Sequence, residues 1–275
     1  MNVLHDFSEY SGLIFCGDIH GKIDRLVDYI DDLEIKDSVI LCVGDCGFGY
    51  LNKRYIQRLL FPYVKKSAER SHNVFVFMRG NHDNPIYYRD PFVYVPDMAK
   101  YQREIVLVDD YDILRSPYGD VLCIGGAFSI DRPFRKLVPY GEDQTDGMVY
   151  FEGEEVLPIN RERELFIRNF HDSINMVATH TAPRFCHPFN WDANVYGYIA
   201  EHPDVEKASM EERGLMNEIY RTIKHDIGCP LKYWVYGHFH THIREEFEGT
   251  DFILLDRDRP GRKKGETMFD LFEVR

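Results

Sequence analysis

The feature that most constrains this chain is a unit repeated through its N-terminal third: a short apolar run, a glycine-containing polar loop, then a segment of helical periodicity. That alternation is the sequence sign of βαβ units, and so of an α/β fold with parallel strands. Strands are expected at residues 13–16, 39–43 and 74–78. The first intervening helix places Ile23, Leu26, Val27, Ile30 and Leu33 on one face. The second does the same with Tyr55, Ile56, Leu59, Leu60, Tyr63 and Val64. Each apolar run ends at residues of metal-ligand type.

Beyond residue 100 the apolar runs close up. Residues 105–108, 111–114 and 121–124 are separated by turn-like residues, which predicts antiparallel pairing and a mixed fold. Further strands are expected at 176–179, 233–236, 252–255 and 268–274, with a helix near 207–225. The 275 residues and 44% hydrophobic content suit one packed domain, and no linker, repeat or low-complexity tract divides it. We therefore expect a single domain over 1–275 with cap-like insertions at about 132–175 and 184–230.

A formal net charge of -13 disfavours duplex nucleic acid and anionic membranes as partners. A small phosphorylated substrate stays compatible, because bound cations invert the field inside a cleft. The first residues carry acidic side chains and only a short apolar run, so neither a secretory signal nor a membrane span is expected, and the cytoplasm is the expected location. Six cysteines lack CxxC spacing and read as reduced core thiols, Cys46 included, although it follows a candidate ligand.

Five strand ends carry the chemistry: Gly17-Asp18-Ile19-His20-Gly21, Gly44-Asp45, Gly80-Asn81-His82-Asp83, Thr179-His180 and Gly237-His238-Phe239-His240. Loops after the carboxyl ends of strands are where α/β sheets form binding crevices. Carboxylate, imidazole and amide oxygen together suit divalent Mn, Fe, Zn or Ni, whereas thiolates would have marked structural zinc. A lone GDxH or GHxH is weak, arising in roughly one chain of this length in fifty. Three such motifs in order, each behind an apolar run, fall well below about one in ten thousand by the same frequencies.

This set resembles the calcineurin-like metallophosphoesterase superfamily, whose pattern runs D-x-H, G-D, G-N-H-[DE], a single His, then G-H-x-H. The resemblance spans Asp18 to His240 and implies a four-layer αββα sandwich of two packed mixed sheets flanked by helices. It implies two divalent metal ions, one held by Asp18, His20, Asp45 and His240, the other by Asp45, Asn81, His180 and His238, with Asp45 bridging. Two cations about 3.5 Å apart turn a bridging water into hydroxide near neutral pH, which attacks phosphorus in line. His82, beside a ligand but not needed as one, is the candidate proton donor to the leaving oxygen.

The chain departs from the protein-phosphatase branch, which usually reads GDxVDRG around the bridging Asp and GNHE later. Here the segments are Gly44-Asp45-Cys46-Gly47-Phe48-Gly49 and Gly80-Asn81-His82-Asp83. The usual His-orienting Asp and phosphate-clamping Arg are missing from that loop. Arg132 and Arg135, after Gly125-Gly126-Ala127-Phe128-Ser129-Ile130-Asp131, are the candidate phosphate clamps, with a solvated ion pair as the plain alternative. The aromatic stretch 185–198, with Trp191 and Tyr196, could wall a substrate pocket or simply fix a loop. The basic run Arg257, Arg259, Arg262, Lys263 and Lys264 reads as a solvated loop. The expected activity is hydrolysis of a phosphodiester or a small-molecule phosphomonoester. A non-catalytic metal-binding scaffold and a nuclease are the alternatives.

Overall fold

Strands buried on both faces read as unbroken apolar runs, and the fold sorts their alternate side chains into different layers. The computed structural model describes residues 2–137, 149–189, 193–261 and 267–274. Seven strands form one sheet, in the order β1 (Leu4–Asp6), β6 (Ile113–Ser116), β7 (Gly119–Ile124), β8 (Ile174–Thr179), β9 (Tyr233–Tyr236), β11 (Thr250–Leu254) and β10 (Ile243–Phe247). Five form a second, in the order β14 (Leu271–Glu273), β2 (Gly12–Cys16), β3 (Ser38–Cys42), β4 (Val74–Phe77) and β5 (Ile105–Leu107). A short pair, β12 (Arg259–Pro260) and β13 (Thr267–Met268), stands apart.

The core between the sheets takes Leu13 and Phe15 from β2, Val39 and Leu41 from β3, and Val74 and Val76 from β4. Val121, Cys123, Met176, Ala178, Val235 and Ile253 meet them from the other sheet. The alternate residues Cys16, Ile40, Cys42, Phe75 and Phe77 face outward onto helices α1 (Ile23–Asp32) and α2 (Phe61–Ser71). Leu122, Ile124, Trp234 and Phe252 turn to the opposite outer face. There they meet Ile167 of a helix at Arg161–Arg168 and Met216, Ile219 and Tyr220 of one at Pro203–Arg221. The result is a four-layer mixed α/β sandwich. The helices expected within cap-like insertions thus supply its fourth layer.

Three expectations meet a different outcome. Ile105–Leu107 pairs parallel with β4 in the five-stranded sheet, and of the three runs beyond residue 100 only β6 and β7 pair antiparallel with each other. The chain crosses between sheets at 108–112, and nothing in local hydrophobicity separates an edge of one sheet from an edge of the other. In the second helix a π-helical stretch, Ile56–Leu60, closes with the Phe61 N–H on the Ile56 carbonyl. The wider turn rotates the apolar stripe. Phe61 and Val64 are buried, while Leu59 and Tyr63, expected on the buried face, are exposed at 63% and 40%. Leu33 follows the last residue of α1 as its C-cap and is likewise exposed. All six cysteines are buried and free.

Candidate metal centre

The candidate residues sit where strands of both sheets end. Asp18 and His20 follow β2, Asp45 follows β3, and Asn81 and His82 follow β4; His180 follows β8, and His238 and His240 follow β9. Four of them, His20, Asp45, His238 and His240, have positive φ, between 45° and 71°. Such backbone is sparsely populated by non-glycine residues and gathers at functional sites. Glycines let these loops touch. A Cβ on Gly80 would lie 2.1 Å from Asp45 Oδ1, and one on Gly237 would lie 2.2 Å from Asp18 Oδ1.

The donor atoms converge in two sets. Asp18 Oδ2 lies 3.3 Å from His240 Nε2, and the His240 and His20 rings are 5.1 Å apart. On the other side, His180 Nε2 is 2.9 Å from Asn81 Oδ1, with the His238 ring 5.1 Å from the His180 ring. Asp45 stands between them: its Oδ1 is 3.4 Å from His180 Nε2 and its Oδ2 is 3.8 Å from His20 Nε2. Within each of the triads Asp18-His20-His240 and Asp18-Asp45-His180, one donor atom per residue lies within 4.8 Å of the others. This oxygen-and-imidazole donor set fits hard-to-borderline divalent ions.

Surrounding groups aim the ligands. The Val43 carbonyl, 2.8 Å from His180 Nδ1, can only accept, so Nδ1 carries a proton and Nε2 is turned toward Asn81 and Asp45. Asp258 Oδ1 sits 3.3 Å from His20 Nδ1, and Asp258 Oδ2 pairs with Lys22. The His238 backbone N–H donates to Asp18 Oδ1 at 3.1 Å, and the His82 N–H to Asp45 Oδ1 at 3.0 Å. Asp83 accepts from the backbone N–H groups of Cys46, Gly47, Phe48 and Gly80 at 2.7–2.9 Å, which ties the loop after β3 to the loop after β4.

Electrostatics show what the pocket wants. Burial opposes charge on Asp45, yet His180, His82 and His20 hold its carboxyl well below the usual range. Burial also pulls His180 down, but Asp45 and Asp18 overcome it and raise the imidazole to about 9. The carboxylates draw positive charge onto a ring that burial alone would keep neutral. Desolvation and the neighbouring His180 push the half-buried His238 down to about 3.

Arg132 and Arg135 are placed differently from the expected clamps. Arg132 Nε donates to Glu154 Oε1 at 2.8 Å, and its Nη2 lies 2.6 Å from Glu155 Oε1. Arg135 is fully buried and donates to Glu154 Oε2 at 2.7 Å, to the Asn81 carbonyl at 3.1 Å and to Ser129 Oγ at 2.8 Å. Neither lines the cavity of about 570 Å³ beside the centre, whose walls include His82, Ser129, Asp131, His187, Tyr198 and Ile243. Both guanidinium groups are taken up by the buried Glu154 carboxylate.

From the aromatic stretch, Val195 and Tyr198 reach the cavity, Tyr196 is exposed, and Phe185 packs instead against Tyr220, Phe247 and Phe252. Trp191, Arg262, Lys263 and Lys264 lie outside the described residues. Arg259 pairs with Asp256, and Arg257 is exposed. Sequence reading assigned no part to Asp83, Ser129, Glu154 or Asp258. Asp83 and Ser129 had a signal, their places in the Gly80–Asp83 and Gly125–Asp131 runs; Glu154 and Asp258 are brought in only by the fold.

The sequence model of the calcineurin-like phosphoesterase family matches residues 13–242. No curated protein sequence matches the chain. Among solved structures it is similar to a dimetal phosphatase from Danio rerio, at 12% identity over 92% of this chain and 86% of that one, with a TM-score of 0.44. It is also similar to a putative 5'-nucleotidase from Staphylococcus aureus, at 13% identity over 90% of this chain and 48% of that one, with a TM-score of 0.39. A phosphopantetheinyl hydrolase from Mycobacterium tuberculosis is similar at 13% identity, over 90% and 89% of the two chains, with a TM-score of 0.39.

Proposed function

The chain belongs to the calcineurin-like phosphoesterase family and is a metal-dependent phosphoester hydrolase, and from that premise we propose that it cleaves a small phosphomonoester or phosphodiester at a two-metal centre. Asp18, His20 and His240 would hold one ion, and Asn81, His180 and His238 the other, with Asp45 shared. The observation that carries this reading is the Asp45 carboxylate, which turns one oxygen toward His180 and the other toward His20. When bound, a pair of divalent ions supplies an ionised water as nucleophile and neutralises the phosphoryl oxygens. Ligand type suits Mn, Fe, Zn or Ni.

The chain's own residues do the rest. The His180 Nε2 is aimed before any ion arrives, because the Val43 carbonyl holds the opposite ring nitrogen. His82 lines the cavity beside the centre and is placed to give the leaving ester oxygen its proton. Ile130, Pro188, Val195, Tyr198, Phe239 and Ile243 offer an apolar wall for the organic group. Its volume, about 570 Å³, falls within the range of small-molecule pockets. Segment 184–230 supplies Pro188, Val195 and Tyr198 to that wall, a cap-like contribution. Six free, buried cysteines suit a reducing compartment, and we assign the cytoplasm on that ground.

The test is turnover of p-nitrophenyl phosphate and bis(p-nitrophenyl) phosphate by protein loaded with each of the four metals. Hydrolysis of at least one ester that disappears on chelation supports the reading. A protein that binds two ions yet cleaves neither ester would be a metal-binding scaffold.

A further inference from the structure

Glu154 is fully buried, and three groups converge on it: Arg132 Nε at 2.8 Å, the Ser129 N–H at 3.2 Å and Arg135 Nη2 at 2.7 Å. Burying such a carboxylate is unfavourable unless it is paired and hydrogen-bonded, and here it is both. What Glu154 organises then reaches the centre. Arg135 grips the backbone carbonyl of Asn81 at 3.1 Å, and Ser129 Oγ accepts from both Arg135 Nη1 and the Asn81 side-chain Nδ2, each at 2.8 Å. With Nδ2 held by Ser129, the Asn81 Oδ1 is turned toward His180 Nε2, 2.9 Å away. Arg135 Nη1 also stands 3.5 Å from His82 Nδ1.

We propose that Glu154, Arg135 and Ser129 form a buried support that positions the Asn81 amide oxygen for the second ion and the His82 ring for proton delivery. They are positioning residues, and Arg135 makes no contact with substrate. The proposal rests on the assignment of Asn81 as a ligand and His82 as the proton donor. It follows from geometry that a phosphate clamp could not share: a fully buried guanidinium, absent from the cavity wall, with its Nη groups turned to protein oxygens. The support joins the segment after β7 to the loop after β4, so it also locks the two sheets' contributions together.

Calorimetric titration with Mn²⁺ and steady-state kinetics on p-nitrophenyl phosphate, with wild type alongside, test it. Ser129→Ala removes the acceptor for Asn81 and should weaken the second ion by about 10- to 100-fold, the usual effect of losing a ligand's hydrogen-bond partner, while the first ion binds within about twofold of wild type. Arg135→Lys should lower kcat by tenfold or more, on the order of what ångström-scale misplacement costs, with KM nearly unchanged. If Ser129→Ala fails to fold, Glu154→Gln, which keeps the shape and removes the charge, should reproduce the selective loss of the second ion. Wild-type binding of both ions by folded Ser129→Ala, or an Arg135→Lys enzyme with raised KM and unchanged kcat, overturns the proposal. A wild-type protein that binds no second ion removes the premise, and the proposal falls with it.

Discussion

At the scale of single residues, the site is a set of rings and carboxylates whose protonation answers to one another. Burial lowers His180, but Asp45 and Asp18 raise it to about 9, above its ordinary 6.5. A raised folded pKa gives the metal-free protein stability that is complete below about 6.5 and lost as pH rises through about 9. The melting temperature of metal-free protein should therefore fall between pH 6.5 and 9.5; a flat or rising profile contradicts the assignment. Coordination at Nε2 must expel that same proton, so metal affinity should climb with pH up to about 9, with at least one proton released per chain at pH 7. Titrations in buffers of different ionisation enthalpy count that proton. For His82, replacement by Ala should keep metal content and cut kcat by about 10²- to 10⁴-fold; unchanged turnover would remove its role as acid. The candidate ligands were legible because residue type and strand end coincide at each, with a glycine in the same run for all but His180. Asp258 was not, since it reaches His20 from 238 positions away and carries no motif of its own.

Elements set how closely these residues approach. The loops after β3 and β4 are joined by Asp83, whose carboxylate serves four backbone N–H groups. Asp83→Ala leaves those donors buried and unpaired, so it should destabilise the fold by on the order of 3 kcal/mol or more and weaken metal binding. Denaturant midpoints and metal titration measure both effects, and loss of neither would dismiss the role. Gly80→Ala should strain the same joint, because its Cβ would lie 2.1 Å from Asp45 Oδ1 and 2.3 Å from the Asp45 backbone nitrogen. Metal affinity and melting temperature should both drop, and native values for the two would show that the loops can part without cost. Most strands and both N-terminal helices could be read from apolar periodicity. The π-helical stretch Ile56–Leu60 could not, because an extra residue in a turn rotates the stripe without changing composition. Arg132 and Arg135 show a related limit. A guanidinium that binds phosphate and one that binds a buried carboxylate have the same sequence, and only the position of Glu154 separates them.

Across the whole molecule, the centre is a joint between sheets. Asp18, Asp45 and Asn81 come from the five-stranded sheet, while His180, His238 and His240 come from the seven-stranded one, so an ion held between them binds the folded arrangement and not the open chain. Metal at a thousandfold excess over its dissociation constant should stabilise the fold by about 4 kcal/mol. The layered architecture was legible only through the resemblance carried by the ligand motifs, because strands buried on both faces read as unbroken apolar runs that fix no layer. Sheet membership was not: the runs at β5 and β6 look alike and join different sheets. No helix among the described residues is long and apolar enough to cross a membrane. The central claim is that one carboxylate, Asp45, stands between two ions. Anomalous scattering from crystals of Mn²⁺-loaded protein tests it most directly. Two peaks, one on the His20 side of Asp45 and one on the His180 side, are the expected result. A single peak, or a pair that Asp45 does not touch, would contradict it.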